Sequence, residues 1–204
     1  MNEKSTVYIV DDDQDVTNSL RWLIESVGYG VETHADARSF LRHYKGQAGC
    51  LVLDVRMPEL SGLELQEILQ QKNMALPIIF VSAHGDVPMA VRAMKRGAID
   101  FLTKPVNNQI LLDNINSALR LDIKRREQLT HQEQVHALEN KLTPREREVM
   151  ALMVQGKSTK VIAESLGISP NTVELHRAKV MKKMEVKTVA ELVSLTIGAD
   201  TIVN

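Results

Sequence analysis

The chain has 204 residues, 44% of them hydrophobic and 25% charged, with 25 Lys and Arg against 26 Asp and Glu. These proportions exclude a disordered polyelectrolyte and a uniformly basic nucleic-acid coat. No apolar run reaches the ~18 residues of a membrane helix, and the start Met1-Asn2-Glu3-Lys4 does not read as a signal peptide, so a cytoplasmic location is expected. The single cysteine, Cys50, excludes an internal disulfide and a multi-cysteine zinc site. The near-neutral total hides an asymmetry: residues 1–118 carry 11 basic and 15 acidic side chains, and residues 143–204 carry 9 and 7. Two modules with different partners are expected.

Taken in order, Thr6–Val10 is a short apolar run that stops at acids, a strand signal. Val16, Leu20, Leu23, Ile24 and Val27 recur at helical spacing, and Gly28 and Gly30 end that helix. A weak strand over Val31–His34 precedes a helix over Ala37–Tyr44. Cys50–Leu53 is a buried-strand run ending at Asp54. Ser61-Gly62-Leu63-Glu64 is a capping box opening the next helix. Ile78–Val81 reads as strand, Val87–Arg96 as helix, Ala98–Thr103 as strand and Ile110 onward as helix. Five strand–helix repeats with continuous apolar strands predict a parallel sheet covered on both faces, with its sites at the carboxyl ends of the strands.

Residues 119–142 lack Gly and Pro from Arg120 to Lys141 and are rich in Gln, Glu, Arg and Lys. They read as a linker helix or, alternatively, as a charged tether. Leu121, Val135, Leu138 and Leu142 share a seam, but Lys124, Gln128 and His131 interrupt it, which argues against a stable coiled coil.

Residues 143–204 carry no strand signal. Thr143-Pro144-Arg145-Glu146 joins a capping box to a Pro at the first helical position. Ser158 opens a second helix, Gly167-Ile168-Ser169 is a tight turn, Pro170–Met184 is a third helix, and Thr188-Val189-Ala190-Glu191 opens a fourth. Helix, Gly turn, helix is the helix-turn-helix pattern. Its second helix buries Val173, Val180 and Met184, with His176 on the same side, and turns Asn171, Thr172, Glu174, Arg177, Lys179 and Lys182 outward. Such a face suits the DNA major groove, with Lys157 and Lys160 adding charge nearby and Asn171 and Glu174 able to read base edges. A solvated charged face is the plainer alternative.

In the front module, Asp11, Asp12 and Asp13 follow the first strand, Asp54 ends the third, Ser82 ends the fourth and Lys104-Pro105 follows the fifth. Converging carboxylates repel one another, and a hard cation such as Mg²⁺ relieves this. A carboxylate beside Mg²⁺ can take up a phosphoryl group as an acyl phosphate, with Lys104 neutralising the phosphoryl oxygens.

With these residues in place, 1–118 resembles the receiver domain of bacterial response regulators. The matching strings are Val10-Asp11-Asp12-Asp13, Leu53-Asp54-Val55-Arg56-Met57-Pro58, Ser61-Gly62, Val81-Ser82-Ala83 and Phe101-Leu102-Thr103-Lys104-Pro105. The resemblance implies that Asp54 accepts phosphate from a cognate sensor histidine kinase. It implies that Asp12, Asp54 and the Arg56 backbone carbonyl ligate Mg²⁺, with Asp11 acting through water. Ser82, with Ala83 beside it, and Phe101 match the positions that move on activation; Lys104 matches the phosphate-binding lysine, and Lys104-Pro105 a bond usually cis. Arg56 and His84 match positions flanking the phosphoryl group, where they would tune dephosphorylation; His84 reads equally as an ordinary loop histidine. Val106 departs from the Phe often found after the Lys-Pro pair.

Residues 143–204 resemble the LuxR and NarL class of DNA-binding domain through Leu142–Glu146, Gly156-Lys157-Ser158, Leu166–Ser169, Thr172-Val173, His176-Arg177, Lys182–Met184 and Ala190–Val193. The resemblance implies major-groove binding by Pro170–Met184 and dimer contacts along Val189, Leu192, Val193, Thr196 and Ile197. Part of that stripe also reads as core. The whole chain resembles the FixJ subgroup, close to StyR-like and TodT-like proteins, through His84–Val91 with Ala93-Met94-Lys95 and the long linker.

The expected architecture is therefore a doubly wound, flavodoxin-like receiver (1–118), a linker helix (119–142) and a small four-helix DNA-binding domain (143–204). The expected function is a non-enzymatic, phosphorylation-activated transcription regulator. It would pair as a homodimer when phosphorylated, bind double-stranded DNA with two-fold-related half-sites, and engage RNA polymerase. An orphan regulator that binds DNA as an unphosphorylated dimer is the alternative. An Asp-nucleophile phosphohydrolase is disfavoured by the attached helical module, and an RNA-binding antiterminator by the helix-turn-helix pattern.

Overall fold

The structure is a computed structural model; it describes residues 5–83 and 86–200, with side chains through Thr196. It divides into two compact units, one up to Arg125 and one from Arg126.

The first unit alternates β1 (Thr6–Val10), α1 (Gln14–Ser26), β2 (Gly30–His34), α2 (Ala37–His43), β3 (Gly49–Asp54), α3 (Gly62–Gln71), β4 (Ile78–Ser82), α4 (Val87–Lys95) and β5 (Asp100–Thr103). Helix α5 (Asn108–Glu139) follows, and the division between the units falls within it. The five strands are all parallel in the order β2-β1-β3-β4-β5. Side chains alternate across such a sheet, and in the three central strands, β1, β3 and β4, both sets are buried. Tyr8, Val10, Leu51, Leu53, Ile78 and Phe80 pack with Phe40 of α2, Leu65 and Leu69 of α3 and Ala93 of α4. Val7, Ile9, Cys50, Val52, Ile79 and Val81 pack with Leu20 and Ile24 of α1 and Leu111, Ile115 and Ala118 of α5. Two-sided burial is why these strands read as continuous apolar runs. Strand β5 starts two residues later than its apolar run, because Ala98 closes the turn after α4 by donating to Ala93 O (3.2 Å).

The second unit holds α6 (Pro144–Val154), α7 (Thr159–Leu166), α8 (Pro170–Lys183) and α9 (Val189–Asp200). Thr143 caps α6 in a closed capping box with Glu146. Gly167 ends α7 with φ 64°, a left-handed turn that a side chain would strain, and Ser169 then caps α8 through Thr172 N. Val149, Met153, Ile162, Val173, Val180, Met184 and Leu192 form the core. Leu192 of the expected dimer stripe is thus fully buried and Val189 packs beside it, while the Ile197 side chain lies outside the described residues. No helix among the described residues is long and apolar enough to cross a membrane.

Candidate functional site

The pocket follows from register. Val10 is level with Leu53 and Asp54 with Val81, so Asp11, one step past β1, comes level with Asp54. Both lie on the α1/α5 side of the pleat, since Ile9 and Val52 face that side. The sheet order reverses between β1 and β3, which is where open α/β sheets build their sites. Ser82 ends β4 opposite Thr103, and Lys104 follows through a backbone bond to Ser82 O (2.9 Å).

Lys104 Nζ donates to Asp11 Oδ2 at 2.6 Å and lies 2.9 Å from Asp54 Oδ1. Arg56 N donates to Asp54 Oδ2 at 2.6 Å. Asp11 is 3% and Asp54 6% exposed, so both charges are held largely out of water. Burial pushes the Asp54 carboxyl above the ordinary carboxylate range, and neighbouring Asp11 adds to the rise, against the downward pull of Lys104. Burial works against the Lys104 ammonium too, but its bonds to the two carboxylates more than reverse this and raise its pKa.

The other predicted residues are distributed around this centre. Asp12 is exposed and lines a cavity of about 310 Å³ with Asp36, Arg38, Arg42 and Glu59. Asp13 turns to a different task, capping α1 by accepting from Asp15 N and Val16 N. Ser82 is buried, Ala83 and the Arg56 side chain are exposed, and half-buried Phe101 stacks on Phe80 at 6.0 Å. The Lys104–Pro105 bond is cis. His84 lies outside the described residues. Gly62 abuts the pocket: a Cβ there would lie 2.2 Å from Asp54 O, so only glycine lets α3 start beside the end of β3. Sequence reasoning also missed a clamp between α3 and α4. Gln66 donates to Ala93 O and Arg96 O, Gln70 donates to Arg96 O, and Glu67 pairs with Arg92 and Arg96.

As to a cation, the donors are hard carboxylate oxygens beside a fixed ammonium. No three His, Cys, Asp or Glu side chains among the described residues form a protein-only cage. Mg²⁺ does not need one, because one or two carboxylates with water and phosphate oxygens suffice. The donor chemistry fits.

In the helical unit, Lys157, Lys160, Asn171, Lys179 and Lys182 are exposed, Thr172 and Arg177 are half-buried, and His176 is half-buried with its Nδ1 inside. Glu174 is exposed but engaged: Thr159 at the start of α7 donates to its Oε1 at 2.5 Å, and Arg177 stands 3.9 Å away. The wheel puts a different line opposite the buried Val173 and Val180. At ~100° per residue that line is Asn171, Leu175, Ala178 and Lys182, and Leu175 is 65% exposed. Leu175 was absent from the predicted contacts, although its offset of two positions from Val173 is legible in the sequence. Beneath α8, Lys183 Nζ donates to buried Glu146 Oε2 at 2.6 Å, and that carboxylate also accepts from Thr143 N. Lys183, with the Thr143 amide, pulls the Glu146 pKa down to about 2.

A carboxylate–lysine pocket at a doubly wound switch point, in one chain with a helix-turn-helix unit, defines a signal-responsive DNA-binding regulator. Residues 7–116 match the family described as response regulator receiver domain, and residues 140–196 match bacterial regulatory proteins, luxR family. The chain is 42% identical to the transcriptional regulatory protein FixJ of Bradyrhizobium diazoefficiens, over 98% of both chains. It is 44% identical to the response regulator TmoT of Ectopseudomonas mendocina, over 96% of this chain and 89% of that one. The solved structure of the response regulator StyR matches with TM-score 0.85 and 48% identity, over 95% of this chain and 98% of that one. The chain belongs to the response regulators that couple a receiver domain to a LuxR-type DNA-binding domain. It is a transcriptional regulator of a two-component system, a class in which activation typically depends on phosphorylation and in which receivers generally bind Mg²⁺ at the acidic pocket.

Proposed function

We propose that Asp54 is the phosphoacceptor and that a sensor histidine kinase is the donor. A carboxylate oxygen of Asp54 attacks the phosphorus of the kinase phosphohistidine. The phosphorus–nitrogen bond breaks, the imidazole leaves, and an acyl phosphate forms on Asp54. The observation that carries this reading is Lys104, held between Asp11 and Asp54 where it can neutralise incoming phosphoryl oxygens. Asp12, Asp54 and the Arg56 carbonyl would hold Mg²⁺, with Asp11 reaching it through water; the cation would supply charge neutralisation at the phosphoryl oxygens. Arg56 and His84 would set how fast water reaches the acyl phosphate.

Phosphorylation adds charge and acceptor oxygens beside Lys104, drawing in Ser82, with Ala83 beside it, and Phe101 and biasing α4 and β5 toward a second arrangement. Helix α4 exposes Val87, Val91 and Met94 on one stripe, an apolar surface suited to pairing two receivers. The paired chains would bind two-fold-related half-sites through α8, with Lys157, Lys160, Asn171, Thr172, Arg177, Lys179 and Lys182 as DNA contacts and Glu174 as a neighbour, and would act on RNA polymerase in the cytoplasm. Residues 1–118, 119–142 and 143–204 would serve as receiver, linker and DNA-binding domain.

The test is the intact mass of the chain after incubation with Mg²⁺ and a small acyl phosphate. One added phosphoryl group in the wild type and none in Asp54→Asn is expected. Equal labelling of both would overturn the assignment.

A further inference from the structure

The outward face of α8 is not polar throughout. Helical geometry places Asn171, Leu175, Ala178 and Lys182 along the line farthest from buried Val173 and Val180. Leu175 is 65% exposed and Ala178 is exposed one turn on. Glu174, the charged neighbour that could have competed for bases here, is drawn aside by Thr159 at 2.5 Å. Exposed Lys179 and Lys182 flank the apolar centre, and Asn171 heads it. An apolar centre ringed by cationic and amide groups matches one partner surface well: the major groove, whose phosphates are anionic and whose principal apolar feature is the thymine C5-methyl group.

From this we infer that Leu175, supported by Ala178, is a specificity-determining residue that reads a thymine methyl in each half-site. Glu174 is a positioning residue that joins α8 to the start of α7 and does not read cytosine. The inference rests on the DNA-binding reading of α8 and adds the base class that it selects.

The experiment uses the full chain with beryllofluoride and Mg²⁺. Bound sequences are first selected from random double-stranded DNA. Each thymine of the selected half-site is then replaced by deoxyuridine, which removes the methyl group and leaves the hydrogen-bonding edge intact. One thymine whose replacement weakens wild-type binding roughly three- to fivefold, the worth of one buried methyl, is expected. Leu175→Ala, at an exposed position, should keep its circular dichroism and bind thymine and uracil versions equally. A selected motif with no uracil-sensitive thymine, or with the same sensitivity in Leu175→Ala, would overturn the inference and leave DNA binding standing. Failure to enrich any sequence would overturn it together with the reading beneath it. Thr159→Val should leave the uracil-sensitive position in place; a shift to a cytosine at that position would return the readout to Glu174.

Discussion

Each unit of this chain buries a carboxylate against a lysine, yet the two pKa values move in opposite directions. In the receiver, Asp54 shares Lys104 with Asp11, and its pKa rises through burial. In the helical unit, Glu146 has Lys183 beside it and the Thr143 amide below, and its pKa falls to about 2. The same pair of chemical groups, a carboxylate and an ammonium, thus gives a site with a cost in one place and a bond that stabilises in the other. The carboxylate proposed to react shares one cation with a second anion; the carboxylate that ties α6 to α8 has a lysine and a backbone amide to itself.

The largest effect separates function from stability in the receiver. Asp54→Asn should abolish phosphoryl uptake and, by removing a buried charge whose folded pKa is raised, increase the thermal midpoint of the receiver transition. A clear fall in that midpoint, followed by circular dichroism, would mean that Asp54 stabilises the receiver as Glu146 does the helical unit. Next in size, Gly62→Ala forces a methyl group against Asp54 O. Overpacking of this kind costs about 1–3 kcal/mol, read as a lower urea midpoint, and should slow phosphoryl uptake through displacement of Asp54.

Glu146→Gln probes the opposite case. It should lower the stability of the helical unit by about 2 kcal/mol at neutral pH, the scale of a charge-assisted hydrogen bond. The sign follows from a depressed pKa: the contribution is present above the ordinary value of 4.5 and disappears as pH falls from there toward 2. Urea melts at pH 7, 4.5 and 3 should therefore show wild type and variant converging with acid. The smallest effect is local: Gly167→Ala, at φ 64°, should cost about 1 kcal/mol and leave the receiver transition unchanged.

Much of this was legible in the sequence because local signals and burial agreed. Apolar runs gave the strands, Ser61 and Thr143 announced their capping boxes, and Gly167 marked the turn. The order of strand ends already brings Asp11, Asp54 and Lys104 together, as their contacts show. What escaped depends on partners distant in the chain. Nothing near Glu146 says that it is buried or that Lys183 meets it. The tie from Thr159 to Glu174 requires the packing of α7 on α8, and the clamp on α4 requires that of α3. Asp13 reads with the acidic triplet because sequence alone does not separate a helix cap from a pocket carboxylate. Leu175 is a different case: its offset from Val173 turns it outward, but a lone apolar residue on a helix reads first as core.

On the proposed reading, chemistry at Asp54 controls the assembly of the chain. Light scattering tests it most directly, on the wild type and on Asp54→Ala, each with and without beryllofluoride and Mg²⁺. A dimer is expected in one sample alone, the wild type with beryllofluoride and Mg²⁺. The same dimer in all four samples would contradict it and leave a regulator that binds DNA without phosphorylation.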